Sequence, residues 1–347
     1  MVNFAKAAIL ERLGDPLTIK SIQIPELLKG QVLIKVYFSG VCRSQLMEIN
    51  GCRGENKWLP HLLGHEGAGI VLDTGPGVTK VAAGDEVILG WIKGDGIDAP
   101  GAKYYDGNKT INSGAVTTFS NYTVASENRL VKKPVGLSMD VATLFGCALP
   151  TGAGMVLNEI NLLSSSQVVV LGLGGIGLSA LMAFKAINIK KIIAIDVSDE
   201  KLSLAKQLGA THTINSSNEN VEHSLYKLSN GGVDICIESA GTVATIELGF
   251  RLIRKNGGQL LFASHPPEGE KISLAPHELI SGKKIAGSWG GATKPDVDIP
   301  KMHKLFSDAK IPLEALITKR YSLDQINLAL NDLEMGRVFR PLIIMEH

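Results

Sequence analysis

The sequence predicts an α/β domain with a doubly wound parallel sheet, set inside a second, irregular β domain, and three observations predict it. Residues 167–196, QVVVLGLGGIGLSALMAFKAINIKKIIAID, read as a complete strand, turn, helix and strand. Residues 3–150 are dense in Gly, Val, Ile and turn residues with short alternating runs, the texture of antiparallel β structure. From residue 164 to about 288 strands alternate with helical patterns, and from 298 onward two helical segments and a last strand follow. The chain therefore leaves its first domain, builds a parallel-sheet domain and returns, which sets the domains at 1–148 with 289–347, and at 149–288.

In chain order, the runs 32–38, 69–72, 86–89 and 119–124 are short strands of the β domain. Residues 94–113, GDGIDAPGAKYYDGNKTINS, are rich in Gly and polar residues and read as a mobile lobe. The apolar run 168–171 is a strand buried on both faces, and a helix begins near Ile176. A second apolar strand covers 191–195 and ends in Asp196. Helices at 200–208 and 243–253 and strands at 234–239 and 259–263 continue the α/β half; helices at 301–309 and 323–335 precede a strand at 340–344. Residues 168–184 carry no charge, but they are slightly short for a membrane span, are interrupted by glycines and are closed by Lys185.

The glycines of the first turn, Gly172, Gly174, Gly175 and Gly177, contain the G-x-G-x-x-G spacing. The first makes the tight turn, the second lets backbone approach a pyrophosphate, and the third allows close helix–strand packing. Phosphates would rest on the helix N-terminus, where unpaired N–H groups favour negative charge. This spacing alone also fits an ordinary Gly-rich turn. Asp196, about 20 residues on, strengthens it, because a carboxylate there accepts the adenosine ribose hydroxyls and repels a 2′-phosphate, favouring NAD over NADP. Lys201 is placed to reach the same ribose.

With 347 residues the chain has ample length for two cores. A net charge of +1 points to neither a nucleic-acid nor an anionic-membrane partner, and residues 1–20 lack the continuous apolar core of a signal peptide. The four cysteines do not form a disulfide framework, so the expected compartment is the cytoplasm.

Cys42 in GVCRSQ, His65 and Glu66 in LLGHEGAG, and Cys147 in FGCALPTGAG form the second constellation. Two thiolates and an imidazole suit zinc and leave a fourth position open, and ligands from separated loops are the pattern of a catalytic site. Residue by residue, two buried structural cysteines and a core histidine fit the same positions.

Taken together, G-V-C-R-S, G-H-E-G-A-G with the following G-P-G-V and G-D-E-V, G-C-A-L-P-T-G-A-G, and G-L-G-G-I-G-L with Asp196 resemble the zinc-dependent alcohol dehydrogenases of the medium-chain dehydrogenase/reductase family, in order and over nearly the whole chain. The resemblance implies a GroES-like catalytic domain and a Rossmann domain. It assigns Cys42, His65 and Cys147 as zinc ligands, with Glu66 beside them as a transient ligand. It places Arg43 and Arg340 on the cofactor pyrophosphate, Thr151 and Ile176 on the two sides of the nicotinamide, and Ser44 as the hydroxyl that takes the alcohol proton. Trp91, Phe119 and His265 fall at the substrate cleft. The implied reaction is reversible hydride transfer between an alcohol and NAD, in a homodimer or homotetramer. A metal-free reductase of the same fold and a non-catalytic NAD-binding protein are the alternatives.

Three departures from the family pattern stand out. Gln45 replaces the usual Asp, and its amide oxygen is expected to accept the imidazole N–H of His65. Met47 occupies the position of a relay histidine. The lobe 94–113 has no cysteine, so one zinc per chain is expected and no structural zinc.

Overall fold

A computed structural model describes residues 2–347. The chain divides into two compact units, one of residues 1–147, 294–303 and 313–347, the other of residues 148–293 and 304–312.

The first unit is built on two β layers. One is a closed barrel in the order Phe4–Leu10, Thr18–Gln23, Lys103–Asp106, Lys109–Asn112 and His61–Leu62. The other is a seven-stranded sheet in which Leu130–Lys132, Glu86–Gly90, Glu66–Thr74, Gln31–Gly40, Pro341–Ile344 and Lys319–Ser322 lie side by side and Tyr122–Ser126 also pairs with Gln31–Gly40. The long strand Gln31–Gly40 is buried along most of its length: Val32, Ile34 and Val36 enter a core with Leu63, Val87, Leu89 and Ile343, and Leu33 on the other face enters the barrel core. Closing the barrel removes the open edges that its short strands would otherwise present.

Two expectations are corrected in this unit. The lobe 94–113 is not loose: it holds the hairpin Lys103–Asp106 with Lys109–Asn112, and Ala102, Tyr104 and Ile111 sit in the barrel core. Its backbone is tied down by buried acceptors, with the Ile97 N–H on Glu127 (2.8 Å) and the Ala99 N–H on Ser126 Oγ (2.8 Å). The Gly and polar composition concealed an alternation of inward residues. The strand expected at 119–124 begins only at Tyr122. Phe119 is bonded crosswise, its N–H to the Leu63 carbonyl (3.1 Å) and its carbonyl to the Ala8 N–H (2.9 Å).

The second unit is a six-stranded sheet in the order His212–Asn215, Lys191–Asp196, Gln167–Leu171, Ile235–Glu238, Gln259–Phe262 and Lys284–Gly287, with every pairing parallel. That order reverses direction beside Gln167–Leu171, which is where such sheets bind dinucleotides. The crossover helices start where the sequence supplies caps: Ser198 accepts the Lys201 N–H ahead of Asp199–Leu208, Asn220 accepts that of His223 ahead of Val221–Ser229, and Thr242 that of Thr245 ahead of Val243–Leu252. The uncharged stretch 168–184 divides between a strand and the helix Gly175–Ala186. Among the described residues no single helix is long and apolar enough to cross a membrane.

Helix Pro295–Asp308 starts six residues before the expected 301. Pro295 at the first helical position and Asp296 and Asp298 in the first turn are favourable start signals.

Candidate metal centre and dinucleotide site

Three loops of the first unit converge. Cys42 caps the short helix Arg43–Ile49 immediately after strand Gln31–Gly40. His65 precedes strand Glu66–Thr74; the preceding Gly64 has φ +87° and its backbone lies against Phe119 and Thr118, a turn only glycine makes easily. Cys147 follows the turn Leu144–Gly146, where Gly146 packs so closely on Leu89 and Glu66 that a side chain would not fit. One donor atom from each of Cys42, His65 and Cys147 lies within 4.8 Å of the other two, and His65 Nε2 is 3.2 Å from Cys147 Sγ. A tetrahedral zinc with its usual bond lengths places two sulfur ligands about 3.8 Å apart, so the donor set fits in both chemistry and spacing. The hydrogen bond from Cys147, with the His65 and Arg340 charges, holds the Cys42 thiol well below the usual range despite burial. That same hydrogen bond and burial push Cys147 up. The shift of Cys42 is in the direction that favours the thiolate a metal binds.

Around the donors the structure revises several assignments. Gln45 is buried, but its oxygen accepts the Cys42 N–H (3.1 Å) and its amide nitrogen faces His65 Nδ1. As the third residue of the helix it reaches back to the cap, as capping residues do, and this draws the oxygen away from the imidazole. Glu66 is 0% exposed and is not one of the three clustered donors; it forms an ion pair with Arg340, leaving Oε1 without a hydrogen-bond partner. Burial raises its carboxyl against the lowering effect of that guanidinium. Arg340, expected on a pyrophosphate, is 5% exposed and its guanidinium is directed at Glu66. A buried carboxylate is costly unless it is paired or hydrogen-bonded, and Arg340 supplies a partner across 274 positions of sequence.

Arg43 is exposed at the first position of its helix. Ser44, half-buried beside it, has a buried Oγ with no hydrogen-bond partner. Trp91 is half-buried, and its N–H on the Gly146 carbonyl (3.3 Å) sets its backbone beside the turn that carries Cys147. Phe119, expected as a pocket wall, is 1% exposed and belongs to the core of the first unit with Leu63 and Leu89; a fully apolar ring at a crosswise-bonded position is more stably packed there than facing a cleft.

In the second unit Gly172, at φ +89°, folds the backbone against Ala240, Gly174 caps helix Gly175–Ala186, and Gly177 packs on the Gly172 carbonyl. Asp196 closes its strand, with Oδ2 accepting the Leu173 N–H (2.7 Å) and Oδ1 that of Ser198 (3.1 Å). Lys201 Nζ is 3.8 Å from the same carboxylate. Ile176 is half-buried in the first turn of its helix, and Thr151 is buried in helix Ala148–Asn158. His265 is exposed, with Nδ1 against the Pro266 carbonyl (2.9 Å). The sequence reading passed over Glu238, a buried acid at the carboxyl end of a central strand.

Comparison with known proteins agrees with this layout. Residues 28–135 match the family model described as an alcohol dehydrogenase GroES-like domain, and residues 175–308 the model described as a zinc-binding dehydrogenase. The chain is 29% identical to S-(hydroxymethyl)glutathione dehydrogenase of Paracoccus denitrificans, over 98% of this chain and 99% of that protein. It superposes on the crystal structure of an alcohol dehydrogenase zinc-binding domain protein from Burkholderia ambifaria with a TM-score of 0.91 at 29% identity, covering 99% of each chain. For benzyl alcohol dehydrogenase from Acinetobacter calcoaceticus the TM-score is 0.90 at 29% identity, covering 99% of this chain and 100% of that one.

Proposed function

The chain belongs to the zinc-dependent alcohol dehydrogenases of the medium-chain dehydrogenase/reductase family, and on that footing we propose that it holds one zinc ion at Cys42, His65 and Cys147 and interconverts an alcohol and its carbonyl compound with NAD. The observation that carries this reading is the three-donor cluster of Cys42, His65 and Cys147. Zinc held by Cys42, His65 and Cys147 would supply Lewis acidity toward the alcohol oxygen, and a dinucleotide held at the glycine turn and Asp196 would supply the hydride chemistry. Ser44 Oγ, buried and unpartnered two residues from Cys42, takes the proton the alcohol releases. The Glu66–Arg340 pair keeps a balanced charge behind the ligands. With Met47 rather than a histidine three residues on, no imidazole there takes the proton onward, and it leaves Ser44 to water.

Cofactor choice tests the dinucleotide half of the proposal. The Asp196 carboxylate is fixed by two N–H donors at the end of its strand, and a 2′-phosphate against it brings two anions together. Such contact costs several kcal/mol, so kcat/KM for NAD should exceed that for NADP by about a hundredfold or more. Asp196→Ser should lower the NAD value more than it raises the NADP value, because Leu173 also loses its acceptor. Equal use of both cofactors by the native enzyme would place Asp196 away from the ribose.

The enzyme is further proposed to be a homodimer or homotetramer. Strand Lys284–Gly287 is the outer strand of its sheet, and Ile280 and Trp289 flanking it are 82% and 83% exposed. A second copy of the same strand would complete the ladder and cover both side chains. Light scattering at micromolar concentration should give two or four times 37.0 kDa; a monomer would contradict it.

A further inference from the structure

Glu238 ends the strand Ile235–Glu238, level with Leu171 on one neighbouring strand and Phe262 on the other. It is therefore at the carboxyl end of the sheet, one residue from the start of the glycine turn. It is 0% exposed, and among the described residues no cation pairs with it within 4.0 Å. A bare carboxyl in such a place is unfavourable unless its oxygens are used. One of them is used twice: Oε1 accepts the N–H of Ala240 (2.9 Å) and that of Gly241 (2.9 Å). The other, Oε2, has no hydrogen-bond partner. Burial raises the carboxyl, and the Gly241 N–H, the Thr245 hydroxyl and the Ala240 N–H lower it, burial having the larger effect.

The turn held in this way is keyed into the glycine turn. The Ser239 N–H donates to the Leu171 carbonyl (2.8 Å), and Ser239 Oγ donates to the Gly172 carbonyl (2.7 Å). The Ala240 backbone sits where Gly172 would carry a side chain, 2.6 Å from that position. Ser239 Oγ also lies 2.6 Å from where Gly177 would carry one. On its far side Ser264 Oγ donates to the Ser239 carbonyl (3.1 Å). Two glycines of the motif, the one that makes the tight turn and the one that packs helix on strand, are thus braced against one three-residue turn, whose first bend is closed by Glu238.

We propose that Glu238 is a positioning residue of the dinucleotide site, setting through the turn at 239–241 where the glycine loop stands and hence how the cofactor phosphates are received. The proposal rests on the reading of this unit as a dinucleotide-binding one. A lost acceptor for two half-buried N–H groups lets the turn shift, and the loop with it.

The test is NADH binding, followed by fluorescence, together with zinc content and melting temperature. Glu238→Ala should weaken NADH binding about tenfold and raise KM for NAD by more than it lowers kcat, with zinc content unchanged. Glu238→Gln keeps a carbonyl oxygen for both N–H donors and should restore binding to within about threefold of the native protein. If Glu238→Ala does not fold, Ser239→Ala unhooks the turn from the Gly172 carbonyl and should weaken binding in the same direction. A folded Glu238→Ala or Ser239→Ala that binds NADH like the native protein overturns the proposal. So does a Glu238→Gln protein as weak as Glu238→Ala and equally lowered in melting temperature, which marks a role in stability only. A native protein that binds neither NADH nor NADPH overturns the dinucleotide reading, and the role of Glu238 falls with it.

Discussion

Replacing Cys147 with serine should strip the metal and lower kcat/KM by well over about a hundredfold, since removing merely a partner of a metal ligand commonly costs about 10–100-fold. Cys147 is buried and lies 3.2 Å from His65 Nε2, and its hydrogen bond to the Cys42 thiol is what draws that thiol toward thiolate. A serine hydroxyl is a harder and far weaker ligand for zinc than a thiolate. The change therefore removes one ligand and the principal support of a second. The second unit has its own core, in which Val169, Ile193, Cys236 and Leu260 pack together, so the variant should still bind NADH. Retention of both zinc and turnover would show that Cys147 is a structural cysteine.

Ser44→Ala should lower kcat by about 10²–10⁴-fold, the usual contribution of a positioned proton-transfer group, while leaving the zinc content intact. Its Oγ is buried with no hydrogen-bond partner in the protein, and a polar atom kept so costs about 1–3 kcal/mol of stability. Alanine relieves that cost and suits the helix Arg43–Ile49 at least as well. The melting temperature should then hold or rise while activity falls, the signature of a group retained for function at the expense of stability. Ser44→Thr should keep most of the activity. A fall in melting temperature with unchanged kcat would assign the hydroxyl to packing.

The parallel sheet was legible from residues because its signals are local. The strand read at 168–171 is Gln167–Leu171 and that read at 191–195 is Lys191–Asp196. The helix read from 200 is Asp199–Leu208, started by Ser198 and stopped by Gly209 at φ +120°. The three metal donors were legible as residue types, but only folding brings positions 42, 65 and 147 within reach of one another.

What the sequence concealed is set by long-range contacts. Nothing near Arg340 announces that it faces Glu66, because the strand Pro341–Ile344 must first pair with Gln31–Gly40. The lobe reads as loose because the acceptors that fix it, Ser126 and Glu127, lie on a different strand and its following turn. The orientation of Gln45 follows from a helix cap at Cys42, which overrode an expectation built on its neighbour His65. Phe119 was expected at a cleft from the family resemblance, and packing placed it in the core.

The central claim is that Cys42, His65 and Cys147 together hold the catalytic zinc, and elemental analysis of the native and Cys147→Ser proteins side by side tests it most directly. About one zinc per chain in the native protein and none in the variant is the expected result. Two zinc ions per native chain, none in the native protein, or one retained by Cys147→Ser would contradict it.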